Sequence, residues 1–383
     1  MENRKSPTGQ LSWALLIALL SLVLPFRSRG QTVTPADAMA LEQQGKLEQA
    51  AEAWIAVTRN NPTDAAAFAS LGLVRSRQRK YSDAVAAYRK AIALNPNLPG
   101  VQLNLGLAEF KQEHFASAIE PLHAALAADP NNLQATLLLG LSYYGAKRFD
   151  DATKYLATAA AKDQNNTELL QMLAQSCFLT KNFSCALEQF KKLQALDPNS
   201  SAVHMFTGEA LDGQGRTDEA ITEFQAALAL APHDPGLHFA LGYLYWKTHR
   251  YDPAVQAFDA ELVIDPKNAQ ALTYLGDIAM KNQDDSKALE FLTRATQLQT
   301  DIRLAYLDIG SILIDEKQYP EALTALQHAV KLDPTQPDAY FRLGRIYKLM
   351  GNDPAAEREF AKVRELKQHE DDLTSKMNKK PAS

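Results

Sequence analysis

The chain has 383 residues, with 40 basic against 45 acidic side chains, a net charge of −5 and a mean hydropathy of −0.28. That balance supplies no basic stripe of the kind a phosphate backbone requires, so nucleic acid is not an expected partner. The nearest approach to such a stripe, Arg75, Arg77, Arg79 and Lys80, reads as a solvated turn.

In chain order, residues 1–30 differ in kind from the rest. Arg4 and Lys5 precede an apolar run from Leu11 to Phe26, and Arg27, Ser28, Arg29 and Gly30 follow it. This is the layout of an export signal, with small residues suited to cleavage before Gln31. The run is short of the about 20 apolar residues of a spanning helix, but Arg27 and Arg29 weaken the charge asymmetry that orients a signal. An uncleaved anchor is therefore the alternative, and a membrane is a partner only in that case. No Cys lies near the site, which argues against a lipid-linked signal. The expected location is exported, in the periplasm or cell envelope, with secretion as the alternative. Without residues 1–30, which hold Arg4, Lys5, Arg27 and Arg29 against Glu2 alone, the net charge moves from −5 to −8.

From Gln31 onward one spacing governs the sequence. Phe68, Leu71, Gly72, Tyr81, Ala84, Tyr88, Ala91 and Pro96 mark out a unit. Steps of 34 from Ala84 land on Ala50, Ala118, Ala152, Ala186, Ala220, Ala254, Ala288, Ala322 and Ala356 without an insertion. Gly72, Gly106, Gly140, Gly208, Gly242, Gly276, Gly310 and Gly344 recur at the same interval. Glycine inside a helix costs roughly 1 kcal/mol relative to alanine, so its recurrence implies close approach by a second helix. The alanines of that second helix are expected to face the glycines. Large residues such as Leu71, Tyr88, Leu105, Phe190, Phe224, Leu241 and Phe258 then fill the layer at native density. Each unit reads as an αα-hairpin.

These residues match the pattern of the 34-residue tetratricopeptide repeat, and the chain closely resembles that family. The resemblance implies an all-α fold, a right-handed α-solenoid of about ten stacked helix-turn-helix units. They start at residues 31, 65, 99, 133, 167, 201, 235, 269, 303 and 337 and form one continuous array over 31–370, followed by a charged extension and tail over 371–383. The first unit has Asp37 and Ala38 where later ones have Leu and Gly, as a cap with one unpartnered face would. Pro96, Pro130, Pro198, Pro232, Pro266 and Pro334 end second helices, and Asp234 before Pro235 reads as an N-cap with proline at the first helical position. Asp252 before Pro253 repeats that signal. Gln164, Thr300 and Gln368 replace the closing proline and Asp285 replaces an aromatic, so the loosest packing is expected near 284–302. The last helix should run on to about Asn378.

No stretch carries a phosphate-binding loop, a zinc helix or a nucleophile elbow, so no catalytic residue, cofactor or metal is expected. The eight histidines are scattered. His233 and His238, five apart across a helix start, read as turn residues rather than a metal pair. Cys177 and Cys185 are either a disulfide across one hairpin, which an oxidising compartment would allow, or two small thiols. Arg75 and Glu109 hold equivalent positions in adjacent units and are expected to pair. Glu261 replaces a small residue at a face between units and is expected to reach out to water, since Glu is seldom fully buried. Asn165, Asn182 and Asn199 fit glycosylation acceptors.

In the family, the outward stripe of the first helices lines the inside of the superhelix. Here that stripe is apolar through Leu103, Leu107, Phe110, Leu137, Leu141, Tyr144 and Phe178, continues with Phe239, Tyr243 and Trp246, and then turns polar through Asp277, Lys281, Asp308, Arg342, Arg345 and Lys348. Such a band suggests a contact surface, although Tyr144 and Trp246 could equally pack against neighbouring first helices. The Lys and Asn of the family's carboxylate-binding groove are missing, Ala69, Leu73, Leu103 and Leu107 standing at such positions. The asparagine ladder of its glycosyltransferase arrays is also missing, since Asn104 has no equivalents. The reading is a non-catalytic exported scaffold holding a protein or peptide partner. An accessory role in envelope polysaccharide secretion or glycan binding is the alternative, and an enzyme with an unrecognised site a remote one.

Overall fold

The computed structural model describes residues 33–378, so the export-signal reading of residues 1–30 lies outside the described residues. These form an all-α repeat fold, with no strand among them. They fall into two compact bodies that divide between Ala146 and Lys147, inside the fourth repeat. The first body holds α1 (Pro35–Gln43), α2 (Leu47–Asn60), α3 (Ala65–Arg77), α4 (Tyr81–Leu94), α5 (Val101–Phe110), α6 (Phe115–Ala128) and α7 (Leu133–Gly145). The second opens with α8 (Phe149–Ala160), α9 (Thr167–Leu179), α10 (Phe183–Leu196), α11 (Ser201–Gly213), α12 (Thr217–Leu230), α13 (Leu237–Lys247) and α14 (Tyr251–Ile264). It closes with α15 (Ala269–Lys281), α16 (Asp285–Leu298), α17 (Arg303–Asp315), α18 (Tyr319–Leu332), α19 (Pro337–Leu349) and α20 (Asp353–Asn378), the last running on as its charged sequence suggests. No helix of the described residues is long and apolar enough to cross a membrane.

The alanines that set the register are the most deeply buried column. Nine of them, from Ala50 to Ala322, are 0% exposed and Ala356 is 2% exposed. The glycines admit the second helix closely, as expected, but what they face is not the alanine side chain. A Cβ built on Gly72, Gly106, Gly276 or Gly310 would come within 2.5–2.6 Å of the side chain of Tyr88, Leu122, Leu292 or Leu326. On Gly208, Gly242 and Gly344 it would come within 2.7–2.8 Å of Phe224, Phe258 and Phe360. Each glycine therefore makes room for the large residue one turn beyond the alanine. The alanine offers only its carbonyl oxygen, 3.3–3.4 Å away in the hairpins of Gly106, Gly208 and Gly276. Gly145 and Gly213 similarly admit the rings of Phe115 and Phe183, from the preceding repeat.

The turn inside each repeat also recurs. Gly45, Arg79, Glu113, Lys147, Lys181, Gly215, His249, Gln283, Lys317 and Gly351 all adopt left-handed φ values of 58–77°. The next amide then donates back to a carbonyl five residues earlier, as from Lys80 to Arg75 at 2.9 Å and Gln318 to Leu313 at 2.8 Å. This satisfies carbonyls that the helix end leaves orphaned.

First helices begin at side-chain caps, with Asp64, Asn132, Asn166, Ser200 and Asn268 each accepting from the amide three residues on. Asp37 in the first repeat is polar because it completes a capping box with Thr34. Four repeats break the rule, two of them at Ile302 and Gln336, which precede α17 and α19 without a side-chain cap. Gly100 and Gly236, at φ of 74° and 89°, are the N-caps of α5 and α13, which start two residues later than expected. Asp234 is thus not the cap, because the left-handed Gly236 turns the chain after Pro235. Asp252 is not one either. α14 already starts at Tyr251, so Asp252 and Pro253 sit in its first turn, where free amides tolerate proline and the helix dipole favours an acid.

Glu261 corrects a second expectation. It is 1% exposed rather than solvated. Its carboxylate accepts from the amides of Gly236 at 3.1 Å and Phe239 at 3.1 Å, and from Asn268 Nδ2 at 3.2 Å. A helix that begins on glycine has no side-chain cap of its own, and α14 supplies one from the same repeat.

Glu109 and Arg75 do not pair. Glu109, 2% exposed, takes Arg89 Nη2 at 2.6 Å and His114 Nδ1 at 3.0 Å, while Arg75 turns to Gln78 and Asp83. The acid finds its partners on the neighbouring α4 and in its own turn. The stretch 284–302, where the loosest packing was expected, buries three residues on α16, fewer than α14 or α18 does. Ala288, Leu292 and Ala295 are 0% exposed, Leu292 fills the space at Gly276, and Asp284 caps α16 by accepting from the Lys287 amide at 3.1 Å.

Two outcomes follow from these contacts. Gly276→Ala should cost about 1–3 kcal/mol through overpacking despite its better helix propensity. Leu292→Ala should cost about 2–5 kcal/mol, and the double variant should cost less than their sum in urea unfolding. Glu261→Ala should cost about 1–3 kcal/mol by leaving amides unsatisfied, with hydrogen-exchange protection lost first at Gly236–Phe239.

Candidate functional site

Consecutive first helices pack on one another within each body: α3 on α5 and α5 on α7 in the first, α13 on α15, α15 on α17 and α17 on α19 in the second. No pair of second helices packs to a comparable degree. Each body therefore closes up on its first-helix side, and the side chains there line its inner face.

Leu103, Leu107 and Phe110 of α5 and Leu137, Leu141 and Tyr144 of α7 belong to the first body, and all are half-buried. Phe110 meets Phe115 edge to face, with ring centroids 5.6 Å apart. Phe178, Phe239, Tyr243 and Trp246 belong to the second body and are half-buried too. Phe178 packs on Phe183 at 5.8 Å.

The second body gathers its aromatic residues more tightly than the sequence suggests. Tyr243 stacks on Trp246 with centroids 5.8 Å apart, and Tyr274 lies 5.6 Å from Tyr243 and 4.7 Å from Trp246. Phe239 lies behind them, 6.0 Å from Tyr274. Beside the rings, Trp246 Nε1 donates to Asp277 Oδ2 at 2.5 Å, and Lys281 Nζ reaches the other Asp277 oxygen and stands 5.8 Å from the Trp246 ring centroid. Tyr274 was not singled out by the sequence reading. Steps of 34 from Ala240 reach Tyr274, Asp308 and Arg342, and that change of chemistry down one column is the signal that marks it.

Asp277 and Asp308 were expected on the polar part of the outward stripe, and they are 3% and 2% exposed. Asp277 is held inward by Trp246 and Lys281. Asp308 sits three positions earlier in its repeat, one turn closer to the helix seam, and its Oδ2 has no hydrogen-bond partner. Burial, reinforced by the charge of Asp277, pushes the Asp308 carboxyl up to about 7, against the pull of Lys281, Arg342 and Arg303. Burial, with Tyr243 and Asp277, pushes the Tyr274 hydroxyl up to about 12. Burial alone raises Glu209.

Cys177 of α9 and Cys185 of α10 are bridged, with Cα atoms 5.7 Å apart, inside the range that a disulfide spans. His238 Nε2 lies 3.1 Å from the Pro232 carbonyl oxygen, and no group of three or more potential metal ligands occurs among the described residues.

The raised Asp308 has a defined pH signature. The folded state keeps its proton up to about 7, whereas the unfolded chain releases it near 3.8. Its contribution to stability is therefore complete below pH 4 and is lost as the pH rises from about 4 to about 7. Asp308→Asn should remove this slope. The difference between variant and parent in urea unfolding should grow across that window to a few kcal/mol at pH 8, in favour of the variant.

Family models described as tetratricopeptide repeat match residues 36–99 and 239–301, and 109–175 and 143–210. A model described as TPR repeat matches residues 208–248 and 310–351. No curated protein matches the chain. Among solved structures it is similar to MamA protein, at 23% identity over 44% of this chain and 92% of that one, with a TM-score of 0.39. It is similar to YrrB, a TPR protein with an unusual peptide-binding site, at 23% identity over 50% of this chain and 100% of that one, with a TM-score of 0.40. The APC/C hetero-tetramer Cut9-Hcn1 is 13% identical over 86% of this chain and 80% of that one, with a TM-score of 0.49. With its register of buried alanines and its matched repeats, the chain belongs to the tetratricopeptide repeat family.

Proposed function

We propose that the protein is a non-catalytic scaffold that binds a protein or peptide segment along the inner faces of its first helices. The observation that carries this reading is the half-buried apolar row of Leu103, Leu107, Phe110, Leu137, Leu141 and Tyr144, side chains neither sunk in the core nor replaced by charge. Apolar and aromatic groups held partly open on a rigid helical surface suit anchor side chains of a partner, because their desolvation is half complete before binding. No chemical step is part of the reading. The residues that depart most from the repeat pattern serve as caps, ion pairs and buried charges.

The proposed location is outside the cytosol. Arg4 and Lys5 before the apolar run support it, as does the Cys177–Cys185 bridge, which an oxidising compartment sustains. N-terminal sequencing of the protein from its native host checks this, and a mature chain starting at Gln31 is the expected result.

The binding face is tested by crosslinking in the native host followed by mass spectrometry, with a Phe110→Ala/Tyr144→Ala variant alongside. Partners should crosslink near residues 100–145. The variant should lose at least tenfold of that capture while its helicity is kept and its melting temperature falls by only a few degrees. Unfolding of the variant would assign the two rings to the core instead, and absence of any partner in both forms would remove the scaffold reading.

A further inference from the structure

The rings and acids of α13, α15 and α17 form a feature that an apolar scaffold surface does not require. Tyr243, Trp246 and Tyr274 stand in mutual contact and are half-buried, Tyr274 stacking on Phe258 as well. Asp277 adjoins Trp246, and Asp308 on the next first helix is buried with one oxygen unpartnered. A buried carboxylate is costly unless a cation compensates it; Lys281, Arg342 and Arg303 act on Asp308 through their charge, but none donates a hydrogen bond to its Oδ2. Arg303 pairs with Asp338, and Arg342 Nη1 reaches the Asp338 carbonyl oxygen. Aromatic faces beside acids make a site that attracts a positive charge, since the ring quadrupole and the carboxylate act with the same sign.

The protein shows what such a site accepts. Lys281 already places its ammonium against Asp277 and over the Trp246 ring. Its side chain remains 36% exposed while that of its partner Asp277 is 4% exposed, so the ammonium reaches solvent and the carboxylate does not. A resident cation that reaches solvent can be exchanged for one that arrives with other contacts.

We propose that Tyr243, Trp246 and Tyr274 together with Asp277 and Asp308 form a recognition position for a lysine or arginine side chain of the bound peptide, displacing Lys281. This rests on the peptide-scaffold reading for its class of ligand. It adds the chemistry of one anchor, a cation in the second body in contrast to the apolar row of the first. The complementarity is local, since Glu209 and Asp212 lie on α11, Asp212 pairs with Lys247 at the end of α13, and Arg345 and Lys348 follow on α19.

The test uses the immobilised full chain to select from a phage-displayed library of random dodecapeptides. Selected peptides are then synthesised and titrated against the parent, Asp277→Asn, Asp308→Asn and Lys281→Met, with circular dichroism confirming that each variant is folded. Selected sequences should be enriched in Lys or Arg, and changing that residue to Gln should weaken binding at least tenfold. Asp277→Asn and Asp308→Asn should each weaken the basic peptide severalfold and leave its Gln version unchanged. Lys281→Met should strengthen the basic peptide, an opposite effect that loss of a structural contact would not produce. Asp308→Asn removes a buried charge and should fold even where Asp277→Asn does not. Peptides selected without basic residues, or bound equally by the acid variants, would overturn the cation position and leave the scaffold standing. Selection of no peptide by a folded chain would overturn both.

Discussion

The structure depends on one contact that recurs in seven of its hairpins, in which a glycine of the first helix receives a large side chain of the second. Between Gly72 and Tyr88, Gly276 and Leu292, or Gly344 and Phe360, a single methyl group would stand in the partner's side chain. The hairpin can close no nearer and, with native packing density to maintain, no farther. One turn earlier on the second helix, the alanine is small because the backbone there passes close to its neighbours, and it is fully buried in nearly every repeat. Helix separation is thereby fixed repeat after repeat, which is what gives the first-helix side chains a regular spacing on which a binding face can be built.

The fold was readable from this column because a period of 34 leaves no freedom in what faces what. The existence, order and approximate ends of the helices follow from the alanines, glycines and prolines, and so does the extension of the last helix to Asn378. What escaped was the content of polar interactions between neighbouring elements. Glu261 was expected in water because its own position looked like a surface one. Its partners are amides 22–25 residues away, at a helix start that glycine had left uncapped. Glu109 was given the wrong cation for a similar reason, since equivalence in sequence says which helix a residue is on and not which side of it faces a charge. The ten candidate residues lie where the repeat places them. The gathering of Tyr274, Asp277 and Asp308 beside Tyr243 and Trp246 needed coordinates, because it joins columns of the repeat that sequence spacing treats as separate.

The first-helix surfaces of the two bodies differ in chemistry although their backbones repeat. On α5 and α7 the side chains are leucine and single aromatic rings, for which burial is favourable in itself. On α13 to α17 the rings are joined by acids with little solvent to screen them, and the Asp308 carboxyl is poised between its charged and neutral forms near physiological pH. A surface of the first kind discriminates weakly among apolar partners. One of the second kind discriminates by charge.

The left-handed residue at each inner turn has a consequence for how such an array can change. Seven of the ten are not glycine, yet all adopt a backbone region that disfavours them by about 1–2 kcal/mol apiece. They are also exposed, and they belong neither to the glycine and alanine columns that set helix separation nor to the columns of the inner faces. Robustness and recognition are thus inscribed on different letters of the repeat. The turn acts as a separate dial, by which the array can be made firmer or looser one repeat at a time with its inner-face side chains unaltered.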